Sequence, residues 1–410
     1  MLAATLSKPG LARTAAILLG VAVPSIAWGR GLVNTFAAVG LALVLACLWG
    51  DRRRAVLPPL SSQPLAVGLC VLAVAWLPSA LLSIAPGHSL ATWALVVLLL
   101  GGGVAVHHFL AADVARQNVV LKTVVTTAAI AAVYAALRYS LPPALQPGLH
   151  TGHMALVFKA ASNLFALLIP VLLWAGWVLR GRWLWASGLA VAGSLLMIAG
   201  SDSRAALAGV LAGALAAAFA VILRRRWWWI LVPVAALMAG AFWYLFQRMA
   251  GADLGHLEVF APAWLIDVHR QHIWAFALAG FTDHPLVGVG MGAAKMLPGA
   301  MDMIPGVGGM YLPAHPHNWL VEVLSETGLI GTLPLVVVVM GLTVAALRRW
   351  LFDGDIAALA LFTLVIMFFA AGLFNFSLWR AYWLIGLIVP VALLTAALRT
   401  AYGASGTRLR

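Results

Sequence analysis

His315-Pro316-His317-Asn318-Trp319-Leu320 runs straight into a long apolar stretch. Pro316 suits the start of a helix, where its missing N–H removes no needed hydrogen bond. His317 then stands at the mouth of that helix, and a neutral imidazole with an ordinary pKa of about 6.5 is a natural general base. Asn318, Glu322 and Glu326 follow at four-residue spacing, so a polar stripe descends one helix face. Carboxylates in so apolar a setting are costly and are functional candidates by default. The alternative is that the stripe pairs internally with an arginine. Upstream, Arg270 and Trp274 are four apart and share a face of a short helix expected over 262–280. A tight Gly-rich turn, Pro285 to Gly292, follows that helix. The planar fork of arginine binds phosphate oxygens in pairs and keeps its charge when partly desolvated.

The elements that must carry these groups are set by composition. Of 410 residues 64% are hydrophobic and 9% charged, and the mean hydropathy is +1.02. Soluble domains carry about 25% charged residues, so a water-soluble enzyme, a disordered chain and a secreted disulfide scaffold are all excluded. The formal charge of +13 does not indicate nucleic acid, because the basic residues sit in short clusters between apolar runs, as at the cytoplasmic ends of membrane helices. Cys47 and Cys70 lie inside apolar runs, and no Cys/His metal spacing exists, so neither zinc nor redox chemistry is indicated.

A crossing helix needs about 20 apolar residues. Twelve spans are expected, at 14–28, 32–49, 65–84, 90–110, 120–140, 160–178, 183–200, 205–223, 227–246, 319–346, 356–376 and 379–397. The fold class is therefore an all-α polytopic membrane protein. Residues 1–246 hold spans one to nine, 247–318 form one large, partly helical outward loop, and 319–410 hold the last three spans and a tail. The clusters Lys8/Arg13, Arg52–Arg54, Arg116/Lys122, Arg180/Arg182, Arg224–Arg226, Arg348/Arg349 and Arg399/Arg408/Arg410 alternate with these spans. Placed inside, they account for 17 of the 25 Lys and Arg and put both termini in the cytoplasm. Arg224-Arg225-Arg226-Trp227-Trp228-Trp229 reads as a headgroup and aromatic-belt anchor, and Gly209/Gly213 as close helix packing.

Eight basic residues remain outside: Arg30, Arg138, Lys159, Arg204, Arg248, Arg270, Lys295 and Arg380. The positive-inside rule disfavours them there, so each needs a reason. One is snorkelling or a local pair, such as Asp202 with Arg204 or Asp267 with Arg270. The other is a shared anionic ligand at the outer membrane boundary.

Arg270-x-x-x-Trp274, His284-Pro285-Leu286-x-Gly288-Val289-Gly290, His317-Asn318-x-Leu320, Glu326-x-Gly328 and Gly331 together resemble the signature of the bacterial O-antigen ligase and polymerase superfamily. Ser203-Arg204-Ala205 resembles another of its recurring features. The motifs cover about 204–331, roughly a third of the chain. The resemblance implies an inner-membrane glycosyltransferase with its site facing the periplasm. The donor it implies is O-antigen on undecaprenyl diphosphate, the acceptor a sugar hydroxyl of lipid A-core, and neither metal nor other cofactor is needed. No P-loop and no paired Asp motif for a nucleotide sugar's magnesium is present, in agreement.

On that reading Arg204 and Arg270 stabilise the leaving diphosphate, and Arg138, Lys159 and Arg380 are further candidates for holding it. His317 takes the acceptor's proton, Asn318 orients substrate and Glu326 supports from within the helix, with Trp274 beside Arg270. Membrane lipids are the other expected partners. Direct attack would invert the anomeric centre. A polymerase of the same superfamily is the nearest rival. The resemblance would then call for an Arg-x10-Gly pattern, and no outward arginine here has glycine eleven positions later. A lipid-linked glycan flippase would also suit twelve spans, but the chain shows no related halves and gathers its polar groups at one face.

Overall fold

The computed structural model describes residues 8–51, 64–140, 154–201, 203–226, 233, 236, 240, 263, 266–374 and 376–400. Among these residues the chain forms twelve α-helices, two short 3-10 turns and no strand. The helices are α1 (Lys8–Ala22), α2 (Arg30–Asp51), α3 (Pro64–Leu81), α4 (Pro86–Ala111), α5 (Val114–Ser140), α6 (Met154–Leu179), α7 (Arg182–Gly200) and α8 (Arg204–Arg224). After these come α9 (Val268–Asp283), α10 (Trp319–Asp353), α11 (Ile356–Gly372) and α12 (Ala381–Ala397). Seven of them, α2, α4, α5, α6, α7, α8 and α10, are long and apolar enough to cross a membrane; α1, α3, α11 and α12 are shorter apolar helices. The chain is a polytopic membrane protein. Eleven of the twelve expected spans coincide with helices, and the ninth, 227–246, lies outside the described residues apart from Pro233, Ala236 and Gly240.

Helix α6 is the most enclosed of the long helices, with 72% of its apolar window buried. It packs against α7, α8 and α11, while α12 lies on α4 and α11. Their shared interior holds Phe165, Trp174, Phe368 and Trp383, with Phe368 and Trp383 stacked at 4.7 Å. An apolar surface on every side is what a helix surrounded by neighbours and lipid requires. The Gly209/Gly213 pair does serve close packing: a Cβ on Gly213 would lie 2.3 Å from Met367 of α11.

At one end of the bundle arginines and tryptophans interleave. Arg182 lies over Trp183 at 5.3 Å and Arg224 over Trp350 at 4.8 Å, an interfacial arrangement. Arg224 also donates to the Trp350 carbonyl. Residues 227–229 of the expected anchor lie outside the described residues.

The other end carries the expected loop. The loop helix starts later than the sequence suggested, at Val268, because the Asp267 carboxylate accepts the Arg270 N–H and caps it there. Beyond α9 the chain folds onto a small apolar core of its own, Ile273, Ala277, Val289, Ala294, Ala300, Leu312 and Val321. The loop is also fastened to the α3–α4 connection. Ile84 N–H and Ser83 Oγ both donate to the Val289 carbonyl, at 3.0 and 3.1 Å.

Candidate functional site

The Gly-rich turn and α10 form a single unit. Helix α10 breaks at Gly328, which has φ 58° and ψ −162°. The backbone groups released by the break pair with the turn. Val289 N–H donates to Ser325 O and Gly290 N–H to Glu326 O, both at 2.9 Å, while Leu329 and Ile330 N–H donate to Pro285 and Leu286 O at 2.9 and 3.0 Å. Backbone thus meets backbone with no room for side chains. A Cβ on Gly288 would stand 2.3 Å from the Glu326 carbonyl carbon, and one on Gly328 2.4 Å from Leu286. The spacing His284-Pro285-Leu286-x-Gly288-Val289-Gly290 with Glu326-x-Gly328 is therefore one interlock.

The polar stripe on α10 fastens neighbouring loops. Asn318 Oδ1 accepts Leu320 and Val321 N–H at 3.0 and 3.3 Å, so it is the helix cap. Buried Glu322 accepts Leu378 N–H at 2.7 Å. Buried Glu326 accepts Gly292 N–H at 2.6 Å, Ala294 N–H at 3.2 Å and the indole N–H of Trp379. Among the described residues, Glu326 is thus held by backbone and indole donors with no direct arginine pair, while the second carboxylate oxygen of Glu322 is buried without a hydrogen-bond partner. Glu326 holds the Gly-rich turn and the segment before α12 against α10. The stripe on one face of α10 was legible from the four-residue spacing, but its partners were not, and Trp379 was not anticipated at all.

Three of the expected cations share a cleft of about 440 Å3. Lys159 of α6, Arg204 of α8 and Arg270 of α9 line it together with Asp267, Trp274 and Phe374. Asn163 explains how α6 and α8 come together there. Its buried side-chain amide donates to the Lys159 carbonyl and, at 2.7 Å, to Ser203 Oγ. Ser203 in turn caps α8 by accepting Ala206 N–H at 3.3 Å. One amide thereby joins the lysine's turn to the arginine's cap. Its only trace in the sequence is the polar pair Ser162-Asn163 shortly after Lys159 in a largely apolar run.

Burial holds the Arg270 guanidinium below its usual range; the Asp267 carboxylate opposes this, and the like charge of Arg204 adds to it. The two guanidinium groups therefore feel each other across the cleft. Both stay cationic, since arginine is not deprotonated in proteins. The Asp267–Arg270 interaction expected from spacing exists, as a helix cap and a nearby opposing charge. Asp202 lies outside the described residues.

Arg138 and Arg380 do not line this cleft. Arg138 ends α5, one turn beyond Tyr134, whose ring meets Phe158 beside Lys159 at 6.3 Å. Arg380 precedes α12, within electrostatic reach of Glu322 and Tyr382; Arg30 lies over the Tyr382 ring at 5.3 Å. Sequence reasoning placed all five cations at one membrane boundary, and the helices gather three of them.

His317 is joined to the cleft through Trp274. The Trp274 indole lines the cleft and donates to the Pro316 carbonyl at 2.8 Å, one residue before His317. His317 itself has φ 56°, in the left-handed region that side chains with a Cβ rarely adopt. Its ring lies 4.2 Å from that of His315. Between the Pro316 anchor and the Asn318 cap, the backbone has little freedom to relax.

Residues 189–336 match the model of the O-antigen ligase family. The resemblance carried by Arg270, the Gly-rich turn, His317-Asn318 and Glu326-x-Gly328 is thereby borne out. The matched O-antigen ligase stretch runs from within α7 to just past the Gly328 break, so it takes in Arg204 and Arg270; Lys159, Arg138 and Arg380 fall outside it. A curated protein of Rickettsia conorii, provisionally named a polysaccharide ligase, is 26% identical over 121 residues, 28% of this chain and 28% of that protein. The aligned part thus spans little more than a quarter of that relative. The O-antigen ligase match covers about a third of the chain, and the apolar helices make the chain a membrane protein.

Proposed function

We propose that this chain is an inner-membrane O-antigen ligase whose site faces the periplasm, with both termini in the cytoplasm. It transfers a glycan from undecaprenyl diphosphate to a sugar hydroxyl of lipid A-core. The observation that carries the reading is the convergence of Lys159, Arg204 and Arg270 on one cleft, with Trp274 linking it to the His317 segment. Breaking the bond from sugar to diphosphate develops negative charge on the leaving group, and fixed cations at that point lower the barrier. Arg204 and Arg270 hold the diphosphate and Lys159 completes the cluster. His317 accepts the proton of the acceptor hydroxyl as its oxygen forms the new bond to the anomeric carbon. The diphosphate departs from the opposite face with the bonding electrons, so the anomeric centre inverts. Asn318 and Glu326 act by position, fixing the helix start and the Gly-rich turn.

Purified protein in proteoliposomes, supplied with lipid-linked glycan and lipid A-core, tests this reading. His317→Ala should fold normally and lose most transfer; turnover near the wild-type rate would remove the base assignment. Donor consumption without acceptor would argue against a ligase. Lipopolysaccharide from a strain lacking the chain should be core-only, with long-chain donor accumulating. A single repeat on the core would instead identify a polymerase.

A further inference from the structure

At the end of the bundle opposite the Arg204–Arg270 cleft, a second, largely apolar cleft of about 330 Å3 lies among α4, α10 and α12. Its charged lining is Arg349 and Arg399, with His107 and Thr395 beside them. His107 Nδ1 and Thr395 Oγ1 are 2.8 Å apart, tying α4 to α12 at the floor of the cleft. Arg349 is braced by Asp353 at 3.1 Å and Asp355 at 3.8 Å, so two carboxylates already face its charge. Arg399 pairs with no carboxylate among the described residues.

This cleft adjoins an interior cavity across a wall that the two share. Val104, His107 and Leu342 also line a narrow apolar cavity of about 110 Å3, which extends between the helices to Trp76 and Trp379. Its wall is almost wholly aliphatic and aromatic. Gly103 leaves α4 without a side chain on this wall, where a Cβ would fall 2.5 Å from Ile388 of α12. Water gains too few partners in such a space to occupy it well, whereas the last few carbons of a hydrocarbon chain match its polarity and volume.

From this pairing of a cationic mouth with an apolar cavity, we infer a binding site for an anionic glycerophospholipid: the phosphodiester sits at Arg399 and Arg349, and the end of one acyl chain passes Leu342 into the cavity. The charge favours this occupant. With Arg349 already faced by two carboxylates, Arg399 is the one guanidinium of the mouth without a carboxylate among the described residues, which suits the single negative charge of a phosphatidylglycerol headgroup. A zwitterionic lipid offers no net charge to it, and a diphosphate asks for more cations than the mouth provides. Basic pockets between helices at a membrane face are known to select headgroups in this way. The site lies at the far end of α4, α10 and α12 from the transfer cleft and does not depend on the proposed reaction.

The test uses the full-length protein, stripped of lipid in detergent, titrated with phosphatidylglycerol, phosphatidylcholine or inorganic phosphate, and read by native mass spectrometry. One phosphatidylglycerol should bind in preference to phosphatidylcholine, and phosphate alone should not compete. Arg399→Gln should weaken phosphatidylglycerol about five-fold, the loss expected for one arginine at an anionic headgroup. Leu342→Trp, which thickens the wall shared by cleft and cavity, should weaken it further. Equal binding of the two lipids, or an Arg399→Gln protein that binds like the wild type, overturns the inference. Displacement by inorganic phosphate overturns the lipid assignment, since it would leave an anion site without a chain. If Leu342→Trp does not fold, the lipid comparison and Arg399→Gln still decide.

Discussion

Trp274→Phe removes one hydrogen bond of the candidate site. A smaller aromatic ring remains against the cleft, and the N–H that reaches the Pro316 carbonyl at 2.8 Å is lost. A neutral hydrogen bond contributes a net of about 0.5–1.5 kcal/mol, and stranding a buried acceptor costs about 1–3 kcal/mol. The Trp274 end of the bond is only partly buried, so water recovers part of the loss and about 1–2 kcal/mol remains. If that energy serves to hold His317 where the acceptor proton is taken, transfer should fall about 5–30-fold. The assay is transfer in proteoliposomes at varied donor concentration. Positioning of His317 predicts a lower kcat with donor KM unchanged; a role of the indole in gripping the donor would raise KM instead. The decisive comparison repeats Trp274→Phe in a His317→Ala background, where a contact acting through His317 has nothing left to lose. A folded Trp274→Phe enzyme at wild-type rate, or an equal loss in both backgrounds, refutes the reasoning.

The other perturbations separate charge, fork geometry and backbone. Arg270→Lys keeps the charge but not the planar fork, so transfer should drop at least ten-fold while the unfolding temperature barely moves; full activity would show that charge alone suffices. Gly288→Ala forces a Cβ against the Glu326 backbone at a residue with φ 67°. Left-handed strain of about 1–2 kcal/mol and overpacking of about 1–3 kcal/mol add, and the variant should unfold several degrees earlier. Glu326→Gln replaces a group that accepts three N–H donors by one that brings its own N–H, stranding at least one buried donor at about 1–3 kcal/mol. Differential scanning fluorimetry reads both losses.

Sequence alone revealed most of the architecture because lipid imposes one simple rule, the apolar run of span length, and charge clusters mark the ends. It placed α2 to α4, α7, α8, α11 and α12 within about four residues, while α5 and α6 begin six residues earlier than expected. Helix α10 extends further than expected, to Asp353, and breaks at Gly328. Hydropathy does not register such a break, since the pairing that compensates it comes from Pro285–Gly290, some forty residues earlier in the chain. The cations Lys159, Arg204 and Arg270 were legible as anomalies of the positive-inside rule. Convergence on a shared anion was expected for a set of five; which three meet was not legible, because it depends on Asn163 joining two helices through Ser203. Glu326 was legible as an expensive group, but its partners are two backbone N–H groups and an indole more than fifty residues away, a pairing that no local spacing signals.

The cleft also makes a prediction about the ligand-free protein. Arg204 and Arg270 face one cavity, and the like charge of Arg204 works against Arg270. An anion between them relieves that opposition, so the donor's head should stabilise the protein beyond what its lipid chain does. Exposed charge pairs amount to no more than about 1 kcal/mol either way, and Arg204 is exposed. Arg204→Gln should therefore leave the unfolding temperature of the empty protein nearly unchanged, or raise it slightly. Its effect should appear when ligand is added. A polyprenyl diphosphate at a hundred times its Kd stabilises the wild type by about 2.7 kcal/mol, and the variant should lose most of that shift. A polyprenyl alcohol of the same chain length, lacking the diphosphate, should treat the two proteins alike. If Arg204→Gln kept the full diphosphate-dependent shift, the arginine would be no more than a snorkelling side chain at the start of α8, and the cleft would have to hold its anion by Lys159 and Arg270 alone.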